Sequence, residues 1–143
     1  MRTILGIRFA SALLVFLSLS ACAGGERLDP AIPIGPPSMF NARPEFYNGK
    51  IIYVRGHLRT GREWFYTIFA DSGKSDLFDK KLCMGLSDLL LISHYESKMD
   101  NRVVTIKGRF VNDADPMVMS CVHDNTLIID EQFLKSRYGP EPR

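Results

Sequence analysis

Cysteine, histidine and a short run of aspartates are the side chains in this 143-residue chain that could carry chemistry. His57, His94 and His123 fall in separate segments. None belongs to a His-x-x-His or His-Glu-x-x-His pattern, and there is no Gly-x-Ser-x-Gly turn. Asp71, Asp76 and Asp79 share a stretch with Ser72, Gly73 and Lys74 but lack the spacing and the closing Glu of a calcium loop. Alternation of Asp with Lys reads instead as a solvated turn. Cys22, Cys83 and Cys121 form no Cys-x-x-Cys and stand at no ligand spacing from a histidine, which argues against a zinc site or a dithiol redox centre. These patterns point to a chain without a catalytic residue, a metal or a cofactor. A small hydrolase-like enzyme working through a histidine is the alternative from another class.

Cys22 sits in a different context from the other two cysteines. Arg2 and Arg8 form a basic start without acids, Phe9 to Leu19 form an apolar core, and small residues follow. A core of about eleven residues suits an export signal and falls short of the roughly 20 that a spanning helix needs. Leu19-Ser20-Ala21-Cys22 resembles the lipobox of bacterial lipoproteins. The resemblance covers residues 1–22 and implies that Cys22 is acylated and becomes the first mature residue, with 1–21 removed as a signal peptide. Two or more chains would then make attachment to the membrane stable. Ala23 is not the Asp with which that family retains proteins in the inner membrane, so the resemblance implies the periplasmic face of the outer membrane. An ordinary secretory signal cut near Ala21 or Ala23 is the competing reading.

Export changes what the rest of the composition means. Lys and Arg exceed Asp and Glu by 18 to 16, and the excess is the two leader arginines. The mature chain is formally neutral, which argues against a nucleic-acid partner. With Cys22 acylated, Cys83 and Cys121 are an even pair in an oxidising compartment, most simply a disulfide, with two buried free thiols as the other reading. Such a bridge closes a loop of about 38 residues and stabilises by roughly 3–4 kcal/mol in the chain-entropy model. A small domain with a modest core benefits from that staple.

Residues 22–45 hold Gly24, Gly25, Gly35 and the prolines Pro30, Pro33, Pro36, Pro37 and Pro44, a composition that reads as a tether from the lipidated end. The folded domain is expected over 46–138, with 139–143 as a tail. Within it lies a repeat. Asn48 to Leu58 and Asp100 to Phe110 match in kind: turn residues, a base, paired β-branched residues, a second base, Gly, a basic or His residue and a large apolar one. Both read as strands. Ile52, Val54, Gly56 and Leu58 share one face, echoed by Val104, Ile106, Gly108 and Phe110, and this is the core side. A mid-strand Gly marks a bend or a close backbone approach, and two in equivalent places predict coiled strands closing a barrel.

Further strands are expected over Glu63 to Asp71, joined to the first through a turn at Thr60 to Arg62, and over Lys80 to Leu86, with Met117 to Val122 and Thr126 to Asp130 as last-strand material. Ser87 is expected to cap a helix from Asp88 to Lys98 that turns Leu89, Leu90 and Ile92 inward, and Glu131 to Arg137 to form a closing helix. The order resembles the OB-fold over residues 46–131: a mainly β, small five-stranded barrel with one short helix between strands three and four and a short C-terminal helix. That resemblance implies two neighbourhoods. Strands three and five adjoin, which would bring Cys83 to Cys121. Strands one and four adjoin, which would gather Tyr53, Arg55, His57, Arg59, Lys107 and Arg109 into one outward patch.

Such a patch would suit an anionic ligand, such as a glycan, a lipid headgroup or an acidic envelope protein. A solvated strand face is the alternative. The sequence as a whole reads as a lipid-anchored cell-envelope module that binds or supports rather than catalyses. An accessory subunit of an outer-membrane assembly is a third reading, to be recognised by exposed apolar surface at Trp64 and Phe65.

Overall fold

Alternation in the two repeated segments produces the two long strands of the molecule, and they lie side by side. The computed structural model describes residues 27–60, 67–70, 82–112 and 125–140. The leader, Cys22, Trp64, Phe65, Asp71, Asp76, Asp79, Cys121 and His123 lie outside the described residues. The elements are β1 (Ile34–Gly35), α1 (Pro37–Asn41), α2 (Pro44–Tyr47), β2 (Ile51–Arg59), β3 (Thr67–Phe69), β4 (Cys83–Leu86), α3 (Leu89–Met99), β5 (Arg102–Val111), β6 (Thr126–Ile129) and α4 (Glu131–Tyr138). Among the described residues, no helix is long and apolar enough to cross a membrane.

Strands β2 to β6 form a closed, mixed five-stranded barrel, and β1 is an extra strand on its outside edge. The pairings β2–β3, β3–β4, β5–β6 and β2–β5 are antiparallel, whereas β4–β6 is parallel. This is the OB-like arrangement that the element order implied. Register along β2–β5 runs from Ile51 opposite Arg109 to Leu58 opposite Arg102. Ile52, Val54, Leu58, Val104, Ile106 and Phe110 all enter the core, on the face the repeat assigned to them.

The repeated glycines explain how so few strands close. A Cβ on Gly56 would overlap the Phe69 carbonyl oxygen of β3, and one on Gly108 would overlap the Ile128 carbonyl oxygen of β6. Each glycine is therefore the point at which the neighbouring strand crosses in contact with a long strand. The two crossings are equivalent by the repeat.

Helices seal the barrel at both ends. At the Ile51 end, Pro37 and Pro44 each open a helix, because a proline in the first turn forfeits no helical hydrogen bond. They bring Phe40 and Tyr47 into the core, ring centroids 5.0 Å apart, with Phe110 within 6.5 Å of both. Part of the stretch read as a tether is thus folded onto the barrel. Pro37 and Pro44 start helices rather than extend a spacer, and the Pro33 carbonyl accepts a hydrogen bond from Tyr53 N at 2.8 Å. At the Leu58 end, α3 buries Leu91, Ile92, Tyr95 and Met99. Thr60 ties β2 to this helix, its hydroxyl donating to Glu96 at 2.7 Å and its N–H to Asp100 at 2.9 Å.

The cap of α3 differs from expectation. Asp88, in the left-handed region at φ 60°, accepts from Leu91 N at 3.0 Å, while the Ser87 hydroxyl accepts from Ile129 N. The buried positions of α3, Leu91, Ile92, Tyr95 and Met99, form one i, i+3, i+4 stripe. Leu91 takes an inward place, and Leu90 is left 72% exposed, with Leu89 also exposed.

Two stability predictions follow from these contacts. Gly56→Ala and Gly108→Ala are each expected to cost about 1–3 kcal/mol, read as a lower urea midpoint, because the new methyl meets backbone rather than a side chain that can yield. Asp88→Ala is expected to cost about 1 kcal/mol, with Asp88→Asn close to neutral, since Asn both caps helices and tolerates positive φ. Thermal unfolding of the two variants side by side distinguishes the cap from a general loss of polarity.

Candidate functional site

The outward side chains of β2 and β5 lie on one face, as strand alternation and the β2–β5 pairing require. They do not form one open patch. Helix α4 and residues 29–36 cover much of that face and divide it.

Tyr53 is the clearest case, being only 2% exposed. Its ring packs against Phe133 of α4 with centroids 5.5 Å apart, and its hydroxyl accepts from Asp29 N at 3.1 Å. Lys107 is paired with Asp130 at 3.1 Å. The same carboxylate caps α4, its other oxygen accepting from Phe133 N at 3.1 Å. One acidic side chain thus starts the helix and fastens it to β5. At the far end of α4, Tyr138 holds β5 twice: its hydroxyl donates to Thr105 O at 3.0 Å and accepts from Thr105 N at 3.2 Å. Arg109 is exposed but sits opposite Ile51, about 14 Å along the strand from the position opposite Arg55. Arg59 is half-buried at the other end of β2 and has a partner.

Arg55 and His57 remain together. Arg55 is exposed and has no ion pair among the described residues. It stands between two adjoining open grooves of about 540 and 560 Å³, and Val103 is shared by both as well. The first is lined by the end of β1 and the following Pro36, by Arg55, Gly56 and His57 of β2, and by Ala70 just after β3. The second continues across Thr105 to Leu28, Arg137 and Tyr138.

The first groove has a backbone origin. On its free edge, β2 pairs with β1 at Tyr53 and Val54 and with β3 from His57 onward. Pro36 ends β1 and starts α1, so Arg55 and Gly56 lie in the gap between the two partners. His57 borders that gap, 9% exposed, and its Nδ1 is buried without a hydrogen-bond partner. A buried ring nitrogen without a partner is costly to maintain, and such atoms occur where a ligand or an ordered water completes the site.

The described lining of the two grooves supplies two guanidiniums, one imidazole and no carboxylate. Guanidiniums and an imidazole are groups that can pair with an anion, and the described lining holds neither a general acid–base pair nor an activated nucleophile. His94 is exposed on α3, a different element from His57, and among the described residues no group of three or more His, Cys, Asp or Glu could hold a metal. Cys83 is fully buried on β4.

Sequence reading missed Arg137, Leu28 and the apolar part of the lining. Val103 carried a usable signal: it has the outward parity of Thr105 and Lys107 yet is apolar, and it is 64% exposed. Arg137 carried none, because its place follows from how α4 docks. No family model, curated protein or solved structure matches this chain.

Proposed function

We propose that this chain is a lipid-anchored cell-envelope protein whose OB-like barrel is a non-catalytic module that binds an anionic group through the Arg55 groove. The leader and the Leu19-Ser20-Ala21-Cys22 pattern support export and acylation of Cys22, with the periplasmic face of the outer membrane as the address. Cys83–Cys121 is the accompanying disulfide. Its support is the even pair of cysteines that remains once Cys22 is acylated in an exported chain, one of which, Cys83, is fully buried.

The observation that carries the binding reading is the Arg55 guanidinium at the rim shared by two grooves, without an ion pair among the described residues, with Arg137 lining the second groove and no carboxylate in the described lining. A guanidinium in that position makes charge-assisted, bidentate hydrogen bonds to a phosphate, sulfate or carboxylate. Glycans, lipid headgroups and acidic protein surfaces all present such groups. The alternative of a histidine-dependent envelope enzyme draws on one feature, the partnerless Nδ1 of His57.

Binding to a sulfated polysaccharide tests the groove. Arg55→Ala is expected to weaken it at least about tenfold, and unchanged affinity removes the groove from the reading. Hydrolytic turnover that disappears in His57→Gln would establish the enzyme instead. Intact mass of the protein from its native membrane tests the address and the staple together. The expected result is a chain beginning at an acylated Cys22, with a Cys83–Cys121 peptide in a non-reducing digest. A bare Cys22 sulfur or a retained leader refutes the anchoring.

A further inference from the structure

The described chain begins at Arg27, beside the groove. Leu28 lines it beside Arg55, Val103, Thr105, Arg137 and Tyr138, and the next residue is fixed by the hydrogen bond from Asp29 N to the Tyr53 hydroxyl. Six residues, Ala23 to Leu28, separate Asp29 from Cys22. Even fully extended they reach about 20 Å. A domain of this length has a radius of gyration of roughly 13 Å, so it is about 35 Å across. A link shorter than the barrel is wide cannot carry the opposite side of the domain to the surface that holds Cys22.

The side nearest Asp29 has the character of a lipid interface. Arg27, Arg55 and Arg137 are exposed there without ion pairs among the described residues. Among the described residues the nearby acid is Asp29, whose carboxylate accepts from Ala31 N at 2.9 Å. Val103 is largely exposed between these cations, and Ile34, 43% exposed, lines the adjoining groove. Exposed apolar side chains framed by guanidiniums match the headgroup region of an anionic bilayer, where each cation contributes roughly fivefold to association.

We infer that the outer β2–β5 groove is the membrane-facing surface of the barrel and seats anionic phospholipid headgroups of the bilayer that carries the protein's own anchor. This rests on acylation of Cys22 as proposed above. It also names which anion the groove meets. The anchor holds the domain at the bilayer, and the three arginines set which way it faces.

Arginine-directed chemical labelling read by mass spectrometry tests the orientation on the full acylated chain. The protein is placed in phosphatidylglycerol-rich vesicles, in phosphatidylcholine vesicles and in neutral detergent micelles, the micelles also being supplemented in separate samples with glycerol phosphate or with an acidic protein. In the anionic vesicles, Arg55 and Arg137 are expected to label at least about fivefold more slowly than in micelles, while Arg43, beside α2 at the Ile51 end, labels at an unchanged rate. Phosphatidylcholine vesicles are expected to protect less. Equal labelling of Arg55, Arg137 and Arg43 in the anionic vesicles overturns the inference. So does equal protection by glycerol phosphate in micelles, which would mark a site for a soluble anion, and so does protection that appears only with an added acidic protein. The same spectra report the mass at Cys22, so loss of the anchoring premise is distinguished from failure of the orienting face.

Discussion

Closure of the barrel depends on the ladder between β2 and β5, and that ladder stands only because two glycines let the next strands cross it. The long strands pair continuously from Ile51 to Leu58, which sets the register of everything else. A five-stranded barrel is tightly curved, so each long strand must coil enough for its second neighbour to pass in backbone contact. Gly56 and Gly108 provide the two crossings. Once both are in place, the alternation of the repeat sends Ile52, Val54, Leu58, Val104, Ile106 and Phe110 into one core. The same alternation sends Tyr53, Arg55, His57, Thr105 and Lys107 to the outside.

That outside face is then built upon, and the added layer turns a strand surface into a site. Burying Tyr53 under Phe133 and clamping α4 with Asp130 at one end and Tyr138 at the other remove half of the face from solvent. Pairing Lys107 with Asp130 neutralises one of its cations; the pair is part-exposed and contributes little energy by itself, so its value lies in placing the helix. Among the described residues, what is left uncovered is the gap beside Arg55. Positive charge is thereby concentrated by subtraction: other bases on the face are paired or lie farther along the strands, and Arg55 is left with Arg137 brought to it by α4.

Much of the barrel was legible because its determinants are local. Paired β-branched residues, a mid-strand glycine and strict alternation sit within each repeated segment, and the element order was enough to choose the closure. The boundaries that escaped depend on tertiary context. Pro37 and Pro44 carry the same composition signal in a spacer as at the first turn of a helix, and only the docking of Phe40 and Tyr47 against Phe110 decides between them. Ser87 and Asp88 are both good caps, and the choice fell to Asp88 because the Ser87 hydroxyl is used by the Ile129 N–H of β6. Of the candidate patch, strand parity and pairing were legible. Its fragmentation was not, since nothing in Glu131 to Tyr138 says on which face that helix will lie.

The folded prolines also change what an anchor at Cys22 would do. A spacer running to residue 45 could reach between about 25 Å as a coil and about 70 Å if extended, and a domain on such a line samples all orientations. With Pro33 hydrogen-bonded to Tyr53 and Asp29 to the same residue's hydroxyl, six residues separate Cys22 from the first residue so held, a stretch shorter even when fully extended than the domain is wide. For an anchored chain, orientation would then be a property of the fold: the point held by Tyr53 would select the side of the barrel that meets the surface. Tyr53 sits on that side because it has the outward parity of β2, the parity that also exposes Arg55. The periodicity that shapes the core therefore also places that point and the guanidinium on the same face, so an anchor and a binding groove there would act on one surface.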